Sequence, residues 1–274
     1  MNKNFLLNLS IVQFIKKKII KKITYFKNKK NFNKEFFEKT QNDLFLSIDL
    51  DRTEGLKKLK KFNQDFPLVN NVLSAEQDIL FSSLSLKRNL ENTEILEIGS
   101  YNGKNAFLLS WLFSNAKIYT IDLPKEDPDF KNTYSRKNNF NTFINDRDKI
   151  LNQENIFFSE TNSLNLINHK KMYDLIWVDG AHNNPTVTID IINSIKLLKP
   201  NGLLICDDVI TKDSFHKESV YSSIASLEVL ESLNKEKIIT MDFIYKKIDF
   251  ESLCNPNNIN YERKITVSKK IIDN

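Results

Sequence analysis

Between residues 94 and 210 the sequence alternates short apolar runs with segments of helix-like periodicity, and this alternation restricts the fold more than any other feature. The apolar runs predict strands at 94–98, 117–121 and 155–159, in "MYDLIWVDG" and in "LLICDD", and helices are expected at 104–114, at 136–150 and after the cap candidate Asn184, with Pro185 in first position. Runs of this length between turn residues are typical of strands buried on both faces. Their alternation with helices predicts a doubly wound, mostly parallel α/β sheet.

The two ends of the chain carry different patterns. "KIITMDFIYKKI" and "ERKITVSKK" alternate apolar and polar residues, which predicts an antiparallel hairpin at the sheet edge. Residues 46–90 are helical in pattern, with Ser74 and Gln77 at the spacing of a capping box. We therefore expect a basic N-terminal arm over 1–45, a helical lead-in over 46–90 and the sheet domain over 91–274.

The N-terminal arm is strongly basic. Residues 1–40 hold eleven lysines against Glu35 and Glu38, whereas the whole chain carries a net charge of +5, so the remainder is net negative. The stretch "FLLNLSIVQFIKKKIIKKITYF" has the apolar recurrence of an amphipathic helix with lysines between. It lacks the charge order of a signal peptide and is too interrupted to span a bilayer. Such a helix packs on its own domain or on a dimer partner, or it touches an anionic membrane surface.

The charge and cysteine content exclude some classes of protein. A net negative sheet domain argues against a basic catalytic domain wrapped around nucleic acid, so no specific nucleic acid is expected as partner. Cys206 and Cys254 are far apart and form no C-x-x-C pair, which indicates neither a disulfide framework nor a cysteine zinc site. We expect a reducing cytoplasmic location, at the inner membrane face if the arm binds lipid.

Acidic residues and glycines stand where the predicted strands end. Glu97 and Gly99 close the first strand, Asp122 closes the second, Asp179 closes the fourth, and Asp207 with Asp208 closes the fifth. In a doubly wound sheet the ligand lies in the crevice at these carboxyl ends. The acids are therefore expected to line one ligand site.

The loop after the first strand reads E-x-G-x-x-x-G rather than the G-x-G-x-x-G of dinucleotide sites. A carboxylate beside bare backbone suits a ligand with positive charge, and S-adenosylmethionine carries both an ammonium and a sulfonium. Asp122, about 20 residues farther on, is placed to accept hydrogen bonds from ribose hydroxyls. The alternative is that the glycines only form a tight turn and Asp122 only ends a strand.

Three stretches, "EILEIGSYNG", "IYTIDLP" and "YDLIWVDGAHNNPTVTIDIINSIKLLKPNGLLICDDV", resemble class I S-adenosylmethionine-dependent methyltransferases, which have a Rossmann-like sheet. The resemblance covers roughly residues 94–210. The fourth and fifth strand motifs are similar to those of metal-dependent O-methyltransferases, namely the macrocin-type sugar enzymes and, more distantly, the catechol type.

The resemblance implies a role for each matching residue. Glu97, Gly99, Ser100, Tyr101 and Gly103 would form the cofactor loop, Asp122 would bind the ribose, Ser163 would contact the adenine side, Asp179, Asp207 and Asp208 would be metal ligands, and His182 with Asp179 would be catalytic, His182 as proton acceptor. For Tyr101 two positions stay open, packed beneath the loop or flanking the cofactor.

The acids suit a hard metal ion. Carboxylates without cysteine or paired histidine favour Mg²⁺, with Mn²⁺ or Ca²⁺ as alternatives. Because consecutive residues of a strand point to opposite faces, Asp207 and Asp208 can both bind one ion only if the strand has begun to turn. A bound ion would lower the pKa of an acceptor hydroxyl, and His182 has a suitable unperturbed pKa to take its proton.

Two further histidines lie outside these motifs. His216 follows the fifth strand without a motif, and it and His169 are expected at the surface.

Two alternative functions are considered for the chain. A nucleic-acid methyltransferase would explain the basic arm, but the sequence has no N-P-P-Y motif and no Pro-Cys nucleophile. A non-catalytic nucleoside-binding relative would not need the acid cluster. The expected partner is a small-molecule hydroxyl acceptor such as a sugar, and homo-oligomer formation stays open.

Overall fold

A computed structural model describes residues 3–67, 75–87, 93–133, 139–210, 224–257 and 263–271. The helices are α1 (Lys3–Asn31), α2 (Lys34–Ser47), α3 (Arg52–Asp65), α4 (Ala75–Lys87), α5 (Lys104–Leu112), α6 (Pro128–Asn132), α7 (Phe140–Leu151), α8 (Thr186–Leu197), α9 (Ala225–Lys235) and α10 (Phe250–Leu253). The strands are β1 (Glu94–Ile98), β2 (Lys117–Asp122), β3 (Ile156–Glu160), β4 (Tyr173–Val178), β5 (Leu198–Ile210), β6 (Ile239–Tyr245) and β7 (Arg263–Lys270), and a 3₁₀ helix covers Ser163–Asn168.

The strands form one seven-stranded sheet in the order β3-β2-β1-β4-β5-β7-β6. The first five are parallel to one another, with helices in the crossovers. β7 is antiparallel to both β5 and β6. The prediction of a mostly parallel doubly wound sheet with a C-terminal antiparallel hairpin at one edge is confirmed.

Successive residues of the central strands supply the two faces of the sheet, as the period of two requires. Ile95 and Trp177 pack on one face with apolar side chains of α2, α3, α4 and α5. Leu96 and Ile176 pack on the other face with α8 and α9. Because both faces are covered, the central strands place apolar residues on both sides of the sheet rather than on one side only.

Several predicted boundaries differ from the structure. The helix expected at 136–150 is described from Phe140 to Leu151. The helix expected to have Asn184 as its cap begins at Thr186 instead, with Pro185 as its N-cap residue, and the Asn184 side chain accepts a hydrogen bond from the Thr188 hydroxyl. Ser74 and His216 lie outside the described residues, so the capping box and the surface position of His216 stay predictions.

The predicted boundary at residues 45 and 46 falls inside α2, which packs on the sheet domain. Phe45 is fully buried in the core cluster. The Gln41 side chain donates to the Tyr245 carbonyl at 3.0 Å and accepts from the Tyr245 N–H at 2.9 Å. The C-terminal part of the expected arm, which contains Gln41, is therefore hydrogen-bonded to the end of β6.

The C-terminal end of α1 contacts the domain. Asn28 donates to the Cys254 carbonyl at 2.7 Å, and the rings of Tyr25 and Phe32 lie edge-on to Phe250. Within the described residues, no helix combines the length and the apolar character that a membrane span requires.

Candidate active site

The carboxyl ends of β1, β2 and β4 meet at one point because they are neighbouring parallel strands. The Gly99 and Ser100 N–H groups both donate to the Ile121 carbonyl, at 2.9 and 3.1 Å. The Asp179 N–H donates to the Ile98 carbonyl at 2.9 Å. The predicted convergence of the strand-end residues is therefore present in the structure.

Glu97 lies at the end of β1 and is 1% exposed. Its carboxylate accepts hydrogen bonds from Asn105 Nδ2 at 2.7 Å and from the Thr120 hydroxyl, which is also hydrogen-bonded to Ser100. Burial raises the pKa of Glu97 to about 7, although these two hydrogen bonds oppose the shift. The group is a buried carboxyl whose charge would be stabilised by a cation in the crevice.

The loop after β1 requires its two glycines. Gly99 has φ +103°, and a Cβ placed there would lie 2.4 Å from the Asp179 carbonyl oxygen. Gly103 has φ +77°, and its Cβ would lie 2.8 Å from the Leu151 side chain. Gly103 is also the N-cap residue of α5, so the loop delivers bare backbone to the amino end of a helix.

Asp122 ends β2 and faces the same loop. Its two carboxylate oxygens accept from the backbone N–H groups of Tyr101 and Leu123, each at 2.8 Å. Tyr101 has φ 47°, and its ring centroid lies 5.4 Å from that of Phe143 while the residue stays 36% exposed. Of the two positions left open for Tyr101, the structure describes a ring at the crevice surface that packs on α7.

Ser163 begins the 3₁₀ helix after β3, two strands away from β1. Its side chain is near the buried Asp190 of α8, whose pKa is raised to about 6 by burial while Ser163 opposes the shift. Ser163, the residue expected on the adenine side, is thus half-buried near the sheet edge, and its contact with a ligand stays a prediction.

His182 and Asp179 form a pair at the end of β4. His182 is 4% exposed, and its Nε2 lies 3.7 Å from Asp179 and 3.8 Å from Asp208, which is too long for a hydrogen bond. Burial lowers the pKa of His182, although Asp208 and Asp207 oppose the shift. Burial and the charge of Asp207 raise the pKa of Asp179 well above its usual value. The pair therefore combines a neutral imidazole with a carboxyl that holds its proton readily.

Asp207 and Asp208 point to the same place although they are consecutive residues of β5. Asp208 has φ 51°, and the pairing of β5 with β7 shifts register between Cys206 and Val209. A bulge of this kind re-aims side chains. The condition that the strand turns before both acids can act together is therefore met.

Two basic side chains, Lys246 and Arg263, form ion pairs with these acids. Lys246 Nζ lies 2.5 Å from Asp207 Oδ2 and also donates to Asp208, and Arg263 Nη1 donates to Asp208 Oδ2 at 3.0 Å. Burial would raise the pKa of Asp208, but Lys246, His182 and Arg263 hold it at about 2. Burial would lower the pKa of Lys246, but Asp207, Asp208 and Asp179 raise it above its usual value.

The Mg²⁺ site expected at Asp179, Asp207 and Asp208 does not fit this arrangement. Mg²⁺ needs near-octahedral oxygen ligands at about 2.0–2.1 Å, whereas an ammonium bridges Asp207 and Asp208. Within the described ranges, no group of three His, Cys, Asp or Glu side chains is arranged to hold a metal ion. Neither Lys246 nor Arg263 stands in a motif that would mark it in the sequence.

A further acid at the site, Asp78, belongs to the lead-in helix α4. It is 6% exposed, and burial together with the charge of Asp207 raises its pKa to about 8. Its position in "SAEQDIL" reads as the first turn of a helix, where acids are common for reasons unrelated to ligands. The crevice therefore holds more carboxyl groups than cations.

Comparison with known proteins agrees with this geometry. Residues 96–209 match a family model described as a methyltransferase domain. The match begins inside β1 and ends inside β5, so it covers all the strand-end acids described above, and β6, β7 and the helices before β1 lie outside it.

Solved structures share the fold at low identity. A provisionally assigned caffeoyl-CoA O-methyltransferase from Staphylococcus aureus is 20% identical with a TM-score of 0.50, covering 78% of this chain and 90% of that one. The O-methyltransferase TomG of Streptomyces achromogenes, in complex with S-adenosylmethionine, is 16% identical with a TM-score of 0.51, covering 88% and 100%. The N-methyltransferase NodS of Bradyrhizobium japonicum, in complex with S-adenosylhomocysteine, is 16% identical with a TM-score of 0.50, covering 76% and 92%.

One curated relative matches over a short segment. The UvrABC system protein C of Mesoplasma florum is 38% identical over 66 residues, which is 23% of this chain and 11% of that protein. The match spans about a tenth of that protein's length, so it says nothing about the activity of this chain. The strand order and the glycine loop agree with the family match, in which residues 96–209 are similar to a methyltransferase domain.

Proposed function

We propose that this methyltransferase acts on the hydroxyl group of a small molecule, such as a sugar. The observation that carries the proposal is the pair of Asp179 and His182, which lies one strand from the glycine loop and contains a neutral, buried imidazole. A hydroxyl acceptor must lose a proton when it is methylated, and a neutral imidazole beside a carboxyl is suited to take it.

The residues of the loop would hold the cofactor. The carboxyl of Glu97 would compensate its positive charge, the backbone of Gly99 and Gly103 would allow its close approach, and Asp122 would accept hydrogen bonds from its ribose. Ser163 would stand at the adenine side. Because Glu97 is already hydrogen-bonded by Asn105 and Thr120, its carboxyl is oriented before any ligand binds.

The proposed reaction is a direct displacement. When bound, S-adenosylmethionine supplies the methyl group: the acceptor oxygen forms the new C–O bond, the C–S bond breaks, and its electron pair stays on sulfur. Asp179, whose side chain is 32% exposed, orients the acceptor hydroxyl by a hydrogen bond. His182, whose Nε2 lies 3.7 Å from Asp179, takes the hydroxyl proton.

Two alternatives receive less support. An amine acceptor would also be methylated by displacement, and NodS has this activity, but an amine that is already neutral does not require a base beside the crevice. A nucleic-acid acceptor would draw on the basic arm, yet the cations at the crevice, Lys246 and Arg263, are already paired with Asp207 and Asp208. Mg²⁺ is no part of the proposal because Lys246 bridges the acids expected to bind it.

S-adenosylhomocysteine is expected to raise the melting temperature of the protein, and NAD is not. Asp122→Asn should weaken the affinity at least about tenfold, because an amide nitrogen then faces one ribose hydroxyl and a hydrogen bond to a charged group contributes roughly 1.5–3 kcal/mol. Thermal shift titrations measure both effects. Glu126→Gln, which changes an exposed acid four residues on, is the control and should leave the shift intact.

The outcome of this titration is decisive for the cofactor. A shift with NAD and none with S-adenosylhomocysteine would contradict the assignment. A normal shift in Asp122→Asn would mean that the ribose binds elsewhere, while the loop at Gly99 could still hold the methionine part.

We also propose a cytoplasmic protein whose α1 lies on an anionic lipid surface. The large apolar side chains Ile15, Ile19, Ile23 and Phe26 fall on one helical face and are 50%, 54%, 63% and 60% exposed. Tyr25, which contacts the domain, lies on a different face. Lysines flank the apolar face on both sides by helical period, and this distribution is typical of helices that lie in the membrane interface.

The membrane proposal predicts that the protein sediments with vesicles of phosphatidylcholine and phosphatidylglycerol, and less in high salt. Ile19→Ser with Ile23→Ser should lower the bound fraction at least about tenfold, because burying each isoleucine contributes roughly 1.5–3 kcal/mol. Ile192→Ser, at a residue 47% exposed on α8, is the control. If the double variant instead changed the oligomeric state without lipid, a second copy would cover α1 and the proposal would be wrong.

A further inference from the structure

Lys246 is placed as a resident cation of the crevice. It follows directly after the edge strand β6, and its side chain crosses the intervening strand β7 to reach Asp207 and Asp208 on β5. Its side chain is only 15% exposed. A lysine at a sheet edge normally keeps its ammonium in water, so this inward position needs an explanation.

The backbone before Lys246 is fixed by the lead-in helices. Gln41 of α2, which is fully buried, is hydrogen-bonded to both the N–H and the carbonyl of Tyr245. Gln41 also donates to Glu76 of α4 at 2.9 Å, and Arg52 of α3 donates to both oxygens of Glu76. Three helices thus hold the end of β6 in place, and with it the origin of the lysine side chain.

The acids around Lys246 would be an unfavourable cluster without a cation. Asp207 and Asp208 are 3% and 6% exposed, and Asp179 adds a third carboxyl to the same field. Arg263 reaches Asp208, whereas Asp207 Oδ1 has no hydrogen-bond partner among the described residues. The ammonium therefore stands at the point where carboxylates from one bulged strand converge, which is where a divalent ion would have to bind.

We propose that Lys246 permanently fills the cation position of the crevice, so that this methyltransferase binds its ligands and acts without a divalent metal. Lys246 is a positioning residue: it pairs with Asp207 and Asp208 and holds their side chains in place, and it leaves Asp179 and His182 to handle the acceptor proton. The inference deepens the proposed function and rests on it for the reaction, but the identity of the resident cation can be tested without any acceptor.

The test uses metal ions alone on the full chain, after treatment with a chelator. For the wild-type protein we expect no saturable change in melting temperature with Mg²⁺ and no protein-bound signal of Mn²⁺ by electron paramagnetic resonance. Lys246→Met, which keeps the length of the side chain and removes its charge, should gain a saturable Mn²⁺ site at Asp207 and Asp208. Lys247→Met, the next residue along the chain, is the matched control and should behave like the wild type.

Each outcome decides the proposal. Wild-type protein that binds Mg²⁺ or Mn²⁺, and loses it in Asp208→Asn, would overturn it. Folded Lys246→Met that binds no metal would also overturn it, because the acids would then be only an internal ion-pair network. If Lys246→Met fails to fold, Lys246→Gln replaces it, and Mn²⁺ titration of the wild type still decides the first point. A missing thermal shift with S-adenosylhomocysteine would contradict the cofactor assignment instead. The metal titrations would still show which cation fills the crevice, because they use no cofactor.

Discussion

Replacing His182 by alanine is expected to lower the turnover rate for methyl transfer by roughly 10²- to 10⁴-fold, the usual effect of removing a positioned base. The imidazole is buried, lies 3.7 Å from Asp179 and is held neutral by burial, so it is ready to accept a proton from an acceptor oriented there. The rate is measured as S-adenosylhomocysteine released with an acceptor that the protein methylates. The affinity for S-adenosylhomocysteine should stay nearly unchanged, because the residues proposed to hold the cofactor, Glu97, Gly99 and Asp122, all stay in place.

His169 provides the matched control for this substitution. It lies at the amino end of β4, far from the crevice, where its Nε2 is 2.9 Å from the Tyr173 hydroxyl. His169→Ala should therefore keep normal turnover. If His182→Ala were equally active, Asp179 would be the base, since its raised pKa also allows it to hold a proton.

The pH dependence of the wild type gives an independent check on His182. Because its pKa is lowered from 6.5, the neutral imidazole persists below that pH, and activity is lost only as pH falls through the lowered pKa. The acid limb of the rate profile should therefore lie below pH 6.5 and should be absent or moved in a slow His182→Gln variant. An acid limb at the same pH in both proteins would assign it to another group.

The fold was largely predictable because both faces of the central strands are buried. Such strands carry apolar residues on both faces, and "EILEI" and "YDLIWV" stand out because Ile95 is followed directly by Leu96, and Leu175 by three further apolar residues. The position of the site followed from the same reasoning, because parallel strands bring their carboxyl ends to the same edge of the sheet. The residues that close these runs, among them Glu97 and Asp179, were therefore identifiable before any coordinates.

The charge partners of the site could not be predicted in the same way. Lys246 and Arg263 are 38 and 55 residues away from Asp208 in the chain. Lys246 belongs to "YKKI", where two adjacent lysines after a strand look like an ordinary solvated turn. Only the antiparallel addition of β7 between β5 and β6 brings them to the acids, and such long-range pairing leaves no local pattern.

The expectation of a metal site did not take these charge partners into account. Three acids at adjacent strand ends satisfy the ligand chemistry of Mg²⁺ when the rest of the chain is ignored. The structure adds an ammonium at 2.5 Å from Asp207, and carboxylates that already bind a buried lysine are poor ligands for a second cation. The packing of α2 across the expected boundary at residue 45 was equally hard to predict, because the contact of Gln41 with Tyr245 joins residues that are 204 positions apart in the sequence.

Gly99 is the position at which sequence, fold and proposed chemistry depend most on one residue. Its φ of +103° is strained for any residue with a side chain. A Cβ would lie 2.4 Å from the carbonyl oxygen of Asp179 and 2.8 Å from its carbonyl carbon, both of which are backbone atoms. They cannot move aside easily, because the Asp179 N–H is bonded to the Ile98 carbonyl across the β1–β4 pair.

Gly99→Ala is therefore expected to destabilise the protein by about 3 kcal/mol, from the left-handed backbone and the steric overlap together. The melting temperature should fall by about 6–12 °C, and the thermal shift with S-adenosylhomocysteine should disappear, because relief of the overlap moves β1 away from Asp179. Gly180→Ala is the control, since its Cβ would lie 3.4 Å from the nearest atom, a methyl of Ile98, which is ordinary contact. An unchanged melting temperature and an intact shift in Gly99→Ala would show that the loop tolerates a side chain, and that bare backbone at this position is not what admits the cofactor.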